Sequence, residues 1–315
     1  MQIEKFMQKM SDGTEISVNR WIPEEKEIVK AVVVFSHGMQ EHALRYDRIG
    51  SEFALHGFVF SAHDHRGHGK TAYCAENNKT GMFGKLADKD GFTKATNDIA
   101  EIIGEIKKDY PNKKVILMSH SFGSLLAQNY IEQHGSEIDG CILSGTSGPN
   151  SKAFWGSILA STFCLFLGSS YKSNFLQNIA FSSYNNRFKD ENDSISWLSK
   201  NQANRIMYKN DSWCGGVSTV SFFKDISNGL LKIHKTKNIQ KIPQNLPIYA
   251  FCGSDDPVGN YGKSVEKLVN LYKKSGIKNV SLKIYKDDRH EVLNENDGDQ
   301  AVQDIFNWIE KNICL

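Results

Sequence analysis

Residues 115–123 read Val-Ile-Leu-Met-Ser-His-Ser-Phe-Gly and place a serine between an apolar run and an amphipathic segment. The run Val115–Met118 is typical of a strand that is buried on both faces, and Ser121–His134 carries apolar residues at helical spacing. Small residues stand two positions before and after Ser121, as a tight strand-to-helix turn requires. The stretch therefore predicts a strand, a sharp turn and a helix. It makes Ser121 a candidate nucleophile; the alternative is an ordinary helix N-cap.

Other segments of the chain repeat this alternation of strand and helix. Five more short runs are rich in Val, Ile and Phe: Ala31–Phe35, Phe58–Ala62, Gly140–Leu143, Pro247–Phe251 and Val280–Tyr285. Helical spacing of apolar residues recurs in Gly91–Tyr110 and Asp297–Ile313. The pattern predicts an α/β fold with a mostly parallel, doubly wound sheet. The alternating segment Glu15–Trp21 predicts an antiparallel strand at its edge.

A long segment interrupts the alternation between the runs that end near Ser144 and start at Pro247. It has about 100 residues, whereas a simple crossover needs only about a dozen. We therefore expect a helical cap at residues 150–235, inserted between core segments 1–149 and 236–315. A cap would cover the carboxyl ends of the strands, where open α/β sheets bind ligands. Its aromatic residues Trp155, Trp213 and Phe222 are candidate substrate contacts.

An acid and a histidine follow two later strands of the predicted sheet. Residues 253–258 read Gly-Ser-Asp-Asp-Pro-Val, and Asp256 is favoured over Asp255 because of its place in the pattern G-x-x-D-P. His290 lies in the loop after Val280–Tyr285. Imidazole takes and returns protons near neutral pH, and a carboxylate can orient it. The chain order Ser121, Asp256, His290 is the order of the triad in an α/β-hydrolase sheet.

Residues 36–42, which read Ser-His-Gly-Met-Gln-Glu-His, directly follow the strand Ala31–Phe35. Acyl transfer to a serine needs two N–H donors aimed at the developing oxyanion. The backbone N–H groups of Met39 and Phe122 are the candidates, and Gly38 would let the backbone approach the site. The alternative is a glycine turn with a buried, hydrogen-bonded His37.

The segment 63–69 reads His-Asp-His-Arg-Gly-His-Gly and suggests a metal site at first sight. Its aspartate precedes the second histidine, and the chain has no later His-rich segment to complete a dinuclear site. We interpret it as a polar turn held by Asp64 and Arg66. The sequence predicts no metal site and no cofactor.

Composition narrows the classes of partner. Lys and Arg number 38 and Asp and Glu 36, without a basic block, so a nucleic-acid partner is not expected. Six scattered cysteines and an N-terminus without an apolar signal segment favour the cytoplasm. The apolar stretch Ala153–Leu167 falls short of the roughly 20 residues that span a bilayer. It is predicted to be cap core, unless exposure of its aromatic residues favours transient contact with a membrane surface.

These motifs together resemble the monoacylglycerol lipase and lysophospholipase-like α/β-hydrolases, also called serine aminopeptidase S33-like hydrolases. The resemblance rests on residues 37–46, 64–69, 119–123, 253–258 and 289–291, and it runs from about residue 10 to the C-terminus. Ser119 departs from the family, which has glycine there. The resemblance implies an α/β-hydrolase fold, oxyanion amides at Met39 and Phe122, and a lipid-like substrate.

The sequence therefore predicts a cofactor-free serine hydrolase for carboxylic esters with an apolar acyl chain, of the monoacylglycerol or lysophospholipid type. Two enzymatic alternatives use the same triad, an acyltransferase and an aminopeptidase. A peptidase needs a carboxylate for the substrate ammonium, and Glu191 and Asp193 are candidates. A non-catalytic ligand-binding protein on the same scaffold is the third alternative. The oligomeric state is not predicted.

Overall fold

A computed structural model describes residues 1–25, 28–149 and 152–314, and these ranges contain eight β-strands. The strands are β1 (Gln2–Lys9), β2 (Glu15–Ile22), β3 (Ala31–Ser36), β4 (Phe58–His63), β5 (Lys114–His120), β6 (Gly140–Ser144), β7 (Ile248–Gly253) and β8 (Val280–Tyr285). All six buried runs identified in the sequence form strands, and the predicted ends agree within two residues. Near-continuous apolar runs locate β3 to β7 because both of their faces are covered, whereas β8 lies at the edge of the sheet and is partly buried at its four inner positions.

The strands form one sheet in the order β1-β2-β4-β3-β5-β6-β7-β8. β2 pairs antiparallel with β1 and β4, and the other neighbouring strands pair in parallel. The expected mostly parallel, doubly wound sheet is confirmed. The segment Glu15–Trp21 is antiparallel as expected, but its place at the edge was wrong. β1 lies outside it, and as a largely exposed strand β1 lacks the apolar run that marks a buried one.

Helices cover both faces of the sheet and fill the insertion. They are α1 (Asp47–Leu55), α2 (Gly69–Asn77), α3 (Gly91–Asp109), α4 (Phe122–His134), α5 (Lys152–Leu167), α6 (Asn174–Phe181), α7 (Gln202–Asn210), α8 (Val220–Ile233), α9 (Thr236–Ile239), α10 (Lys263–Lys274) and α11 (Gly298–Asn312). One hydrophobic core joins α3, α4 and α10 to the sheet, and the other joins α1 and α11 to the opposite face.

Alternate side chains of each inner strand belong to one core and then to the other. In β3, Val32 and Val34 belong to the core beside α3 and α4, whereas Val33 and Phe35 belong to the core beside α1 and α11. Successive side chains of a strand point to opposite faces, so a strand between two helix layers must be apolar throughout. The sheet is therefore a rigid platform, and its loops at the carboxyl ends hold the candidate residues.

The segment between β6 and β7 is an insertion that contains α5 to α9 and short 3-10 turns. α5 packs along α8, and α8 in turn packs on α3 and α4 of the core. Phe222 on α8 is fully buried and belongs to the main core. The predicted first boundary, between residues 149 and 150, falls beside residues outside the described ranges. The division into 1–149, 150–235 and 236–315 stays a prediction.

Helix α5 contains the longest apolar stretch of the chain, and the whole helix has 16 residues. A helix needs about 20 predominantly apolar residues to cross the hydrocarbon layer. Among the helices of the described ranges, none is both long enough and apolar enough to span a bilayer.

Candidate active site

Ser121 occupies the sharp turn that joins β5 to α4. Its backbone has φ 50° and ψ −118°, a conformation that costs free energy for any residue except glycine. A Cβ atom on Gly123 would lie 2.1 Å from the carbonyl oxygen of Ser36, so α4 passes directly over β3. Ser119 is buried, and its hydroxyl donates to the Ile142 carbonyl at 2.9 Å. That hydrogen bond accommodates a serine at the position where related turns have glycine.

The structure brings Ser121, His290 and Asp256 together above the carboxyl ends of the strands. Nε2 of His290 lies 2.8 Å from Oγ of Ser121, and Nδ1 lies 3.0 Å from Oδ1 of Asp256. Asp256 is fully buried, and the same Oδ1 accepts the backbone N–H of Val258 at 2.8 Å. Loops after β5, β7 and β8 therefore bring a serine hydroxyl, a carboxylate and an imidazole into one hydrogen-bonded row.

Asp255, the competing acid, points elsewhere. Its carboxylate lies 3.0 Å from the guanidinium of Arg187 in a partly exposed ion pair. Its backbone N–H donates to the Asp288 carbonyl. Only one of the two adjacent carboxylates thus reaches the imidazole, and it is the carboxylate of Asp256.

The environment of His290 favours its protonated form. Burial by itself disfavours a charged imidazolium, but the charge of Asp256 and its hydrogen bond outweigh burial and raise the pKa of His290 above its ordinary value. His120, whose ring centroid lies 4.7 Å away, is also buried. Burial and the nearby His290 hold the pKa of His120 well below its usual range. Of the two imidazoles, His290 is therefore the stronger base.

The predicted oxyanion donors line the same cavity as Ser121. Within the described ranges, the backbone N–H groups of Met39 and Phe122 donate to no protein acceptor. Two features define the backbone of the loop that carries Met39. Oε1 of Glu41 accepts the Gly38 N–H at 2.5 Å, and Gln40 has φ 56°. Two N–H groups without a protein acceptor thus share a cavity with the Ser121 hydroxyl, and donors of this kind are what an oxyanion needs.

A cavity of about 150 Å³ opens over Ser121 between the sheet and the insertion. Aromatic side chains of the insertion form much of its wall: Phe181, Tyr184, Trp197 and Tyr208. Aliphatic side chains complete it: Leu125, Leu198, Ile226, Leu230 and Val258. The cavity is therefore suited to an apolar group next to the serine hydroxyl.

The three cap residues expected to contact substrate do not line this cavity. Trp155 is 70% exposed on α5, Phe222 is buried against Phe122, and Trp213 packs edge-on against His42. These positions were expected to contact substrate because the insertion is rich in aromatic residues, but aromatic content alone does not distinguish a lining residue from a core or surface residue. The rings that do line the cavity, such as Trp197, follow no periodic pattern that would reveal them.

A buried charge cluster lies beside the cavity. Arg45 forms hydrogen bonds with both oxygens of Glu291 at 2.8 and 2.9 Å and with Glu41 at 2.5 Å. Burial, reinforced by the charge of Glu291, raises the pKa of Glu41, whereas Arg45 outweighs burial and lowers the pKa of Glu291. Removal of one partner of a buried ion pair costs roughly 3–5 kcal/mol, so the cluster rigidifies the loop that follows Met39.

The two carboxylates considered for an aminopeptidase are engaged in ion pairs. Glu191 pairs with Arg289 and with Arg205, the latter at 3.1 Å. Asp193 pairs with Arg205 at 3.1 Å and with Lys209 at 2.8 Å. Neither lines the cavity over Ser121. Both carboxylates are thus already neutralised by the protein's own cations.

The histidines of segment 63–69 lie in the protein interior, and Asp64 and Arg66 hold the turn. His63, His65 and His68 are at most 3% exposed, and burial lowers the pKa of each. Asp64 accepts the backbone N–H groups of Ala43 and Lys70 at 2.7 and 2.8 Å. Arg66 forms hydrogen bonds with Asp98 at 2.6 Å and with Asp12. Gly67 and Gly69 have φ 73° and 50°.

The chain is similar to known hydrolases in sequence. The family model described as "Serine aminopeptidase, S33" matches residues 27–297. A monoacylglycerol lipase of Mycolicibacterium smegmatis is 29% identical over 133 residues, which are 42% of this chain and 43% of that protein. A monoglyceride lipase homolog of Monkeypox virus is 34% identical over 98 residues, 31% of this chain and 32% of that protein. These matches thus span less than half of the relatives' own length.

Solved structures share the whole fold. A thermostable carboxyl esterase from Bacillus coagulans, solved with glycerol, has a TM-score of 0.91 and 26% identity, and the match covers 99% of both chains. A monoglyceride lipase variant from Saccharomyces cerevisiae has a TM-score of 0.76 and 20% identity over 99% of this chain and 95% of that chain. The fold, the order of the motifs and the family match agree with the resemblance seen in the sequence. The chain belongs to the serine aminopeptidase S33 family of monoacylglycerol lipase-like α/β-hydrolases.

Proposed function

We propose that the protein is a serine hydrolase that cleaves carboxylic esters with an apolar acyl chain, of the monoacylglycerol or lysophospholipid type. One observation carries the proposal: Oγ of Ser121 lies 2.8 Å from Nε2 of His290 in a largely apolar cavity. A serine becomes a nucleophile when an adjacent base accepts its proton. The similarity to an esterase and to monoacylglycerol lipases supports the same chemistry.

In the first half of the proposed reaction, Oγ of Ser121 attacks the ester carbonyl carbon while Nε2 of His290 accepts the hydroxyl proton. Asp256 holds Nδ1–H of His290 and stabilises the imidazolium. The carbonyl oxygen becomes an oxyanion and accepts hydrogen bonds from the N–H groups of Met39 and Phe122. The intermediate collapses with loss of the alkoxide, which takes the proton from His290. The products are an alcohol and an acyl-serine.

In the second half, water replaces the alcohol. Nε2 of His290 removes a proton from water as the hydroxide adds to the acyl carbon, and the same two N–H groups stabilise the second oxyanion. Collapse breaks the bond to Ser121, whose oxygen recovers its proton from His290. The carboxylic acid leaves, and the enzyme returns to its starting state.

The residues that line the cavity indicate how polar the substrate should be. Rings of Phe181, Tyr184 and Trp197 provide apolar surface for an acyl chain. Glu41 and Glu291 also line the cavity, and Arg45 forms ion pairs with both side chains. The polar atoms on this side of the cavity are suited to the hydroxyl groups of the leaving alcohol.

The alternative activities receive less support. An aminopeptidase needs a free carboxylate for the substrate ammonium, but Glu191 and Asp193 are both paired with cations. The two glutamates that line the cavity, Glu41 and Glu291, both pair with Arg45. An acyltransferase would use the same acyl-serine with an alcohol in place of water, and no feature of the cavity favours it. A purely ligand-binding protein gains nothing from the strained backbone of Ser121.

We also propose transient contact between the insertion and a lipid surface. α5, α6 and the segment that joins them expose several large apolar side chains: Phe154 (52%), Trp155 (70%), Leu165 (80%), Phe166 (78%) and Phe175 (55%). Exposed apolar groups of this density mark interaction surfaces. Aromatic side chains are suited to the boundary between headgroups and acyl chains, which is where such substrates reside.

The proposal also covers the domain boundaries of the chain and the cellular compartment of the protein. We assign residues 150–235 to a cap and residues 1–149 and 236–315 to the core, because the insertion supplies the aromatic wall of the cavity. We assign the protein to the cytoplasm. All six cysteines are free thiols, as a reducing compartment favours.

The direct test is a comparison of wild type with Ser121→Ala on p-nitrophenyl esters of increasing chain length and on aminoacyl anilides. We expect turnover of esters with a preference for longer acyl chains, and nearly complete loss in the variant. Ser51→Ala, on α1 and outside the cavity, is the matched control. Anilide turnover would favour the peptidase, and ester turnover that survives in Ser121→Ala would exclude the proposed mechanism.

A further inference from the structure

His42, Asp211 and Cys214 form a cluster where the insertion meets the core. His42 lies three residues after Met39 in the loop that follows β3, and the other two lie in the turn after α7. One potential ligand atom from each residue lies within 4.8 Å of the other two. Nε2 of His42 and Oδ2 of Asp211 are 2.7 Å apart. Two segments 169 residues apart in the chain thus converge on one point.

The imidazole in this cluster has an unused nitrogen. The His42 residue is only 6% exposed, and its Nδ1 has no hydrogen-bond partner among the residues that the structure describes. A buried polar atom without a partner costs about 1–3 kcal/mol. The ring of Trp213 packs edge-on against the imidazole, with 5.4 Å between the ring centroids, and limits its rotation. The imidazole is therefore fixed, and Nε2 is the nitrogen that lies next to Asp211.

The two residues of the turn are preorganised and accessible. Oδ1 of Asp211 accepts the Trp213 N–H at 2.9 Å, and the Asp211 carbonyl accepts the Cys214 N–H at 3.0 Å. These bonds place the carboxylate and the thiol on the same side of a tight turn. The Asp211 side chain is 31% exposed, and Cys214 is partly exposed, so an ion from solvent can reach both.

We propose that His42, Asp211 and Cys214 bind a zinc ion, with water as the fourth ligand. Imidazole nitrogen, carboxylate oxygen and thiolate sulfur are the zinc ligands of proteins, at about 2.0–2.3 Å from the metal. Tetrahedral coordination at these distances separates the ligand atoms by roughly 3.3–3.8 Å. The separations in the structure, 2.7 Å between Nε2 and Oδ2 and at most 4.8 Å among the three ligand atoms, lie on both sides of this range. Zinc replaces the proton between Nε2 of His42 and Oδ2 of Asp211, the neutral imidazole then carries its proton on Nδ1, and the Cys214 thiol proton is released to solvent.

Zinc at this position would join the insertion to the loop that carries Met39. Two hydrogen bonds already link these segments: the Gln40 carbonyl accepts the Gly215 N–H at 3.0 Å and the Tyr208 hydroxyl at 2.9 Å. A metal that binds only where both segments are in place stabilises the folded protein by mass action. None of the three ligands contacts Ser121 or His290, so the site is separate from the proposed chemistry.

The test is a Co²⁺ titration of the full-length, untagged, reduced protein, followed by absorption. We expect thiolate-to-cobalt charge transfer and tetrahedral d–d bands that saturate at one equivalent and disappear on addition of Zn²⁺. Cys214→Ser should lose the charge-transfer band. Cys74→Ser, which replaces another partly exposed cysteine, should keep it. Asp211→Asn provides a second variant that leaves the thiol intact, and it should weaken binding of both metals.

Thermal unfolding gives an independent readout. Zn²⁺ should raise the Tm of wild type and Cys74→Ser and leave the Tm of Cys214→Ser unchanged. The proposal is overturned if wild type shows no cobalt bands, or if the bands and the Tm increase persist in Cys214→Ser. Ester turnover in the absence of metal is measured alongside, so that failure of the zinc site and failure of the proposed hydrolase are told apart.

Discussion

Trp197, a residue of the insertion, contacts His290 through both its backbone and its ring. The Trp197 carbonyl accepts the His290 N–H at 3.4 Å, and the two ring centroids are 5.2 Å apart. Phe181 stacks on the same indole with 5.7 Å between ring centroids. The insertion therefore helps to position the imidazole as well as covering the cavity.

Replacement of Trp197 by Ala should lower kcat/KM for long-chain p-nitrophenyl esters by about tenfold or more, because it removes apolar contact with the acyl chain and support for His290. Short-chain esters should lose less. The matched control is Trp155→Ala, which removes a 70% exposed indole outside the cavity and should leave the turnover of water-soluble esters unchanged. Equal chain-length profiles for wild type and Trp197→Ala would contradict the assigned acyl pocket.

The two adjacent aspartates should differ sharply in their effect on turnover. Asp256→Asn should lower kcat by a factor on the order of 10⁴, because an amide cannot stabilise the tautomer and the imidazolium that catalysis needs. Asp255→Asn should remain close to wild type, since Asp255 pairs with Arg187 at the surface. Steady-state kinetics of both variants decide between the two acids. A large loss in Asp255→Asn alone would reverse the assignment.

The pH profile of kcat/KM should report the titration of His290. The imidazole accepts a proton only in its neutral form, and Asp256 raises its pKa, so the rate should reach half its maximum above pH 6.5. The residual activity of Asp256→Asn should reach half its maximum at a lower pH, because the variant lacks the charge that raises the pKa. An unchanged midpoint would indicate that another group controls the profile.

Stability should fall in mild acid because of the buried histidines near β4. Burial lowers the pKa of His63 to about 3 and of His68 to about 4, from 6.5 in the unfolded chain. Below pH 6.5 the unfolded chain therefore binds protons that the folded protein does not, and each histidine costs about 1.4 kcal/mol per pH unit until the folded pKa is reached. Urea unfolding between pH 7 and pH 5 measures the slope, and His68→Gln should reduce it. Equal slopes would refute the effect.

Much of the fold was predictable because its signals are local. β3 to β7 contain near-continuous apolar runs, and β8 alternates apolar residues with Ser281 and Lys283. Helices α3, α4 and α11 carry apolar residues at helical spacing. β1 was not predicted from the sequence, because an edge strand needs only one covered face and its sequence is largely polar. The antiparallel β2 was recognised, but its neighbour was not, so its position in the sheet was wrong.

The candidate site was predictable where a motif marks a turn at the end of a strand. Ser121, Asp256 and His290 all follow strands, and the parallel sheet requires those ends to meet at one edge. The wall of the cavity was not predictable in this way. Phe181, Tyr184 and Trp197 lie in a helix and short turns whose orientation depends on tertiary packing, as does the meeting of His42 with Asp211.

The central claim is that Ser121 carries the acyl group between the two halves of the reaction. Rapid mixing of wild type with a long-chain p-nitrophenyl ester, acid quenching and peptide mass spectrometry should detect the acyl adduct on the peptide that contains Ser121. Ser121→Ala should show neither adduct nor burst of p-nitrophenol. An adduct on another residue, or full turnover by Ser121→Ala, would contradict the account.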